Sequence, residues 1–339
     1  MTMNSRLLNL WALCLLSISA IAHTPQKDTP ASQSLFDVLQ HQSVQKVKLE
    51  MDLNALELNR KSADEIPAQF SFTNADGFPQ TLSVSVRTRG RFRRRVCTDM
   101  PPLKLNFKKG ELKEAGLQKF DSYKLVTHCL NDDKSRDNIL KEFLAYQMYE
   151  KLTKYSFRTQ LFEISYIDSK TGEEMNQVGF FIEDTDELEK KLGATQIKDQ
   201  FGKTLADLDE NNAMLSAMFQ YMIGNVDWEI ASFRNLKMMQ PADKALPVII
   251  PYDFDFAGLV NASYARPNYQ IGQKIVTQRV FMGNDLENAS WKKIKRYFKI
   301  KKEELLQTVD ECPLLSRKAK RESKQYIQTF FDQLDDMNV

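Results

Sequence analysis

LSVSVRTR, residues 82–89, alternates without a break. Leu82, Val84 and Val86 face one side while Arg87 and Arg89 share the other, the two-residue period of a strand with one buried face. Two later stretches repeat the pattern. In LKLNF (103–107), Leu103, Leu105 and Phe107 point inward and Lys104 points opposite; YKLVT (123–127) reads as a third strand. A helix is expected through DNILKEFLAYQMYEKL (137–152), capped by Ser135 or Asp137, with Leu140, Phe143, Leu144, Met148 and Leu152 at helical spacing. Strands follow at 160–167 and 177–183, around a turn at 170–173.

From about residue 184 the pattern becomes helical. DELEKKLG (186–193) ends on glycine, NNAMLSAMFQYMIG (211–224) is strongly apolar up to Gly224, and 290–336 is charged with a helical period. NLKMMQ (235–240), the turn residues PADKA and PVIIPYDFD read as a hairpin between them. Strands with one inserted helix, then a helix-rich half, predict an α+β protein of two lobes. The β-rich lobe is expected over 43–184 and the helical one over 185–339.

The start of the chain reads as a leader. Arg6 precedes an apolar run, 7–22, that ends in Ala-Ile-Ala, so residues 1–22 are expected to be a signal peptide cut after Ala22. The run is too short for the roughly 20 residues of a spanning helix, so no stable membrane insertion is expected after cleavage. The protein is then exported, to a periplasm or outside the cell, with 23–42 as a linker. Its 47 basic and 45 acidic residues leave a net charge of +2, and no aromatic series accompanies the basic run, so nucleic acid is not the expected partner. Nothing in the pattern sets an oligomeric state. Of the cysteines beyond the leader, Cys97 and Cys129 flank neighbouring predicted strands and are the expected disulfide, against three reduced buried thiols.

Four stretches carry chemistry. RTRGRFRRR (87–95) holds six arginines in nine residues; it is either a surface patch for an acidic partner or a phosphate grip by Arg87 and Arg89 beside Gly90. Lys104 lies on the polar face of its strand and Glu142 on the 137–152 helix; if they meet, the ion pair steers the lysine onto phosphates. In GNVDWEIASFRN (224–235) and PYDFDFAG (251–258), Asp227 follows the helix end, Asn235 sits at the hairpin mouth and the return strand delivers Asp253 and Asp255. Such oxygen donors suit Mg²⁺ on a triphosphate, with one aspartate free to orient a nucleophile; the alternative is that they are ordinary turn aspartates. The three histidines, His23, His41 and His128, lie away from both acidic loops, which excludes a histidine triad or multi-histidine zinc site there.

In this order, VSVRTRG, PPLKLNF, SYKLVTHCLNDDKSRDNILKEFLAYQMYEKL, GNVDW…N and PYDFDF resemble the spore-coat-protein-H (CotH) kinase family, an atypical branch of the protein-kinase-like fold, over roughly residues 80–260. The resemblance implies a two-lobed kinase-like fold and ATP-dependent transfer of a phosphoryl group to a hydroxyl on a protein or glycan. Asp227 would orient or deprotonate the acceptor, and Asn235 and Asp253 would hold Mg²⁺ or Mn²⁺. Arg87, Arg89 and Lys104 would contact ATP, Glu142 would pair with the lysine, and Asp255 would be a second metal ligand or a structural partner. Two departures stand out: Asp227 and Asn235 are eight residues apart, against five in the common kinase loop, and an arginine-rich strand replaces the glycine-rich loop. A kinase fold that no longer catalyses and serves as a binding or assembly module of the cell envelope is the alternative; a metal-dependent phosphoesterase using Asp227, Asp253 and Asp255 is the second.

Overall fold

Alternating apolar residues build seven strands whose edges find each other and leave no free edge. The computed structural model describes residues 33–198, 202–283 and 288–337; the expected signal peptide and the first part of the linker lie outside the described residues. The elements up to the first long helix are α1 (Leu35–Leu39), β1 (Val44–Met51), α2 (Leu53–Leu58), β2 (Ile66–Thr73), β3 (Pro79–Thr88), α3 (Arg93–Val96), β4 (Leu103–Phe107), α4 (Lys109–Glu114), β5 (Ser122–Val126) and α5 (Asp133–Leu152). They continue with β6 (Thr159–Asp168), β7 (Glu174–Ile182), α6 (Thr185–Leu192), β8 (Ala194–Ile197), α7 (Glu210–Ile223), β9 (Leu236–Pro241), β10 (Val248–Pro251), α8 (Asn288–Glu311) and α9 (Arg317–Gln333).

The barrel order is β1-β2-β3-β4-β5-β7-β6, closed by a parallel pairing of β1 with β6 that runs from Val44 opposite Leu161 to Met51 opposite Asp168. Its interior is aromatic: Phe70, Phe107, Tyr123, Phe162 and Phe181 pack ring against ring. The buried side chains of α1 belong to the same core. β6 and β7 are apolar on both faces for a reason. Phe162, Ile164 and Phe181 fill the barrel, while Leu161, Val178 and Phe180 belong to a second core shared with α5, α7, α8, α9 and the three-stranded sheet β10-β9-β8.

The two-lobed kinase-like architecture is therefore not what the chain adopts. The strands form a closed barrel rather than an open β-rich lobe, and α5, expected to belong to that lobe, packs with the C-terminal helices. Alternation reports which side of a strand is buried, but not which edges pair, and the closing pair lies far apart in sequence. Locally, the linker ends before residue 42: Ser34 and Asp37 form a capping box that starts α1. The arginine-rich run leaves β3 at Thr88 and turns at Gly90 with φ of +74°, a left-handed conformation suited to glycine, before entering α3. Cys97 and Cys129 are disulfide-bonded as expected, and Cys312 is free and buried. Among the described residues no helix is long and apolar enough to cross a membrane.

Candidate functional site

Asp227 is positioned by the end of α7. Gly224 closes that helix in the left-handed region, and the buried Asn225 donates to Gln220 Oε1 (2.9 Å) and accepts from the Asp227 amide (3.0 Å). Asn235 Nδ2 then donates to both the Asp227 carbonyl (2.7 Å) and its Oδ2 (2.9 Å), while Arg234 lies 3.5 Å from Oδ1. Burial raises the Asp227 carboxyl above the ordinary carboxylate range; Asp253 adds to the rise, and Arg234 and Asn235 oppose it. The second acidic loop is tied to the same helix end, since the Gly258 amide donates to the Gly224 carbonyl (3.0 Å).

Asp253 leaves β10 with φ of +67°, and Asn235 sits at +54°. Asn tolerates this region, whereas the aspartate is held there by its amide hydrogen bond to Tyr146 Oη (2.7 Å) and by Phe254, wedged between Tyr146 and Phe219. Non-glycine residues in such backbone cluster at functional sites. Asp255 is buried and anchored: Tyr264 Oη donates to it (3.0 Å) and Arg93 Nε lies 3.8 Å away. Burial, then the charge of Asp253, pushes the Asp255 carboxyl up to about 7.

The expected Lys104–Glu142 pair is not made. Glu142 pairs with Arg93 (3.3 Å), a residue the sequence reading left unassigned. Arg93 turns inward from α3, also donates to the Thr127 carbonyl (3.1 Å) and spans Glu142 and Asp255. Burial raises Glu142 well above the usual range despite Arg93, and Glu142 Oε1 and Arg93 Nε keep no hydrogen-bond partner.

The strand next to that of Lys104 carries a second lysine, Lys124. Arg87, Lys104 and Lys124 stand in one row across β3, β4 and β5. Lys124 is stacked over the ring of Tyr252, the residue before Asp253, at 4.2 Å. Burial lowers the Lys124 ammonium to about 7; Arg89 and Lys237 push the same way, and Asp253 opposes them. The alternation in YKLVT marks Lys124 as clearly as that in LKLNF marks Lys104, so this signal was readable. Arg87, Arg89, Lys104 and Lys124 together line a cleft of about 470 Å³ whose other side is the β7–α6 junction at Glu183, Asp184 and Thr185.

The cation-binding potential is that of a shared site. Among the described residues no group of three or more His, Cys, Asp or Glu side chains is arranged to hold a metal. Among the described residues the Asp253 carboxylate and the Asn235 amide oxygen nevertheless accept no hydrogen bond, and they lie beside Asp255, whose carboxyl is raised first by burial and then by the charge of Asp253. One or two carboxylates completed by phosphate oxygens and water is how Mg²⁺ is commonly bound. The donors therefore fit that ion.

No protein-family model matches the chain, and no curated protein does. Among solved structures, a proinflammatory kinase of Helicobacter pylori, CtkA, is a distant neighbour: 11% identity, a TM-score of 0.35, and coverage of 69% of this chain and 87% of that one. A likeness this distant carries no argument about fold or activity.

Proposed function

We propose that the protein is a phosphotransferase that moves the γ-phosphoryl group of ATP onto a hydroxyl of a protein or glycan. One observation carries the reading: the Asp227–Asn235 pair sits at the end of α7, the Tyr252 amide donates to the Asn235 carbonyl (3.0 Å) and so brings Asp253 beside it, and Lys124 lies over the Tyr252 ring. The resemblance of GNVDW…N and PYDFDF to the CotH kinases supports the same roles. Asp253 and Asn235 would hold Mg²⁺, which when bound would neutralise phosphate charge. Lys124, in the role expected of Lys104, and Arg89 orient the phosphates. Asp227 accepts the acceptor's hydroxyl proton as its oxygen bonds the γ-phosphorus and the bond to the β-phosphate oxygen breaks, releasing ADP. Burial raises the Asp227 carboxyl, which makes it a better proton acceptor than an ordinary carboxylate. The leader expected over 1–22 would place this action in a periplasm or outside the cell.

A second reading, a catalytically silent binding module, is favoured by the use of Glu142 on Arg93 instead of on a lysine. Thermal melting decides between them. Mg²⁺-ATP should raise the melting temperature, Asp253→Asn should abolish the rise, and Asp227→Asn should keep the rise while removing transfer by at least about 100-fold. Absence of a shift with either Mg²⁺ or Mn²⁺ would sink the kinase reading. Turnover of an aryl phosphate lost in Asp255→Asn would point instead to a phosphoesterase.

A further inference from the structure

Three of the six arginines in RTRGRFRRR are used by the fold or the cleft: Arg87 lies 3.9 Å from Glu65, Arg89 lines the cleft, and Arg93 is buried against Glu142 and Asp255. The other three have no acidic partner, and Arg95 Nε donates only to the Arg91 carbonyl (3.2 Å). Arg91 and Arg95 are exposed and Arg94 is half-buried, and none forms an ion pair among the described residues. Like charges crowded on one turn of chain repel, and the fold gains nothing from the crowding unless a partner supplies the opposite charge. Elsewhere Arg158 reaches Asp37, Glu183 and Glu187, and Lys244 reaches Asp209.

The segment is also held rigid. The Cys97–Cys129 disulfide pins one end of α3, Arg93 anchors its inner side, and Arg60 donates to the carbonyls of Arg94, Cys97 and Thr98 at 3.3, 2.6 and 2.9 Å. Phe92, 38% exposed, packs on Phe256 (5.5 Å) and Tyr264 (6.0 Å), the rings flanking Asp255. Guanidinium groups and an apolar ring are therefore presented, pre-ordered, at the edge of the acidic loop.

We infer that this face docks an acidic segment of a polypeptide acceptor and so selects hydroxyls that have aspartate or glutamate nearby; the inference rests on the phosphotransferase reading. Arginine binds carboxylates bidentately, and a preformed platform loses little entropy on binding them. A continuous polyanion fits less well. It would run on from the arginines past Asp253, Asp255 and Asp227, whose charges repel it, whereas isolated carboxylates in an otherwise neutral segment meet only the arginines.

Fluorescence anisotropy on the full chain tests this with a labelled peptide carrying one serine among aspartates and glutamates, and with its twin carrying asparagine and glutamine there. The acidic peptide should bind at least about tenfold more tightly. The double variant Arg91→Gln/Arg95→Gln should bring it to the level of the twin, and Arg91→Lys/Arg95→Lys should retain part of the preference. Both sites are exposed, so the melt should not move. Equal binding of the two peptides, binding of neither, an undiminished preference in the glutamine variant, or tighter binding of a labelled oligonucleotide would each overturn the inference. Mg²⁺-ATP stabilisation, read in the same samples, reports separately: peptide preference without it removes the phosphotransferase reading and leaves the docking face standing.

Discussion

Replacing Asp255 with asparagine should stabilise the protein at alkaline pH while damaging its site. Asp255 is 4% exposed, and its carboxyl is carried from the ordinary 3.8 to about 7, first by burial and then by the charge of Asp253, with Arg93 and Tyr264 only partly opposing. The folded state therefore binds this proton more tightly than the unfolded chain does. Stability falls as pH rises from about 4 to about 7, and above that the whole penalty, roughly 4 kcal/mol, is present. Asparagine abolishes the penalty and can still accept from the Tyr264 hydroxyl. The attraction of Arg93, whose Nε lies 3.8 Å away, is already included in that net penalty. The gain at pH 8 is therefore roughly 4 kcal/mol, a rise of about 6 °C in melting temperature for a chain of this size. Near pH 4 the gain should have nearly vanished, because the folded carboxyl is then protonated and the unfolded one is close to its own midpoint of 3.8. Urea melts of both proteins between pH 4 and pH 8.5 measure the difference directly. A variant less stable at pH 8, or a difference independent of pH, would refute the reasoning.

The remaining expectations concern other parts of the same frame. The disulfide joins residues 32 apart in sequence, so its reduction should cost roughly 3–4 kcal/mol, seen as a drop in melting temperature with dithiothreitol; an unchanged melt would mean the open chain is constrained by other means. Lys124→Met should abolish the Mg²⁺-ATP shift and Lys104→Met should spare most of it, and in the wild type nucleotide binding should weaken as pH rises through about 7, where the Lys124 ammonium loses its proton; the opposite ranking of the two lysines would return the role to Lys104. At Gly224, with φ of +67°, an added Cβ would run into the Tyr326 hydroxyl, so Gly224→Ala should destabilise by at least about 2 kcal/mol, partly relieved by Tyr326→Phe. A neutral Gly224→Ala in chemical denaturation would show that the contact yields.

Much of the local structure was legible in the chain. Alternation in LSVSVRTR, LKLNF and YKLVT located three strands of the barrel, the spacing of Leu140, Phe143, Leu144 and Met148 located α5, and Gly224 marked the end of α7, because side-chain burial and left-handed turns are decided by a residue and its near neighbours. The approach of Asn235 to Asp227 could likewise be read from the loop that joins them. Closure of the barrel, the inward turn of Arg93 onto Glu142 and Asp255, and the seating of Lys124 over the Tyr252 ring depended on which distant surfaces meet. Every arginine in RTRGRFRRR carries the same chemistry. Only the packing of α3 against α5 and the acidic loop, which buries one and leaves Arg91 and Arg95 in solvent, makes them different.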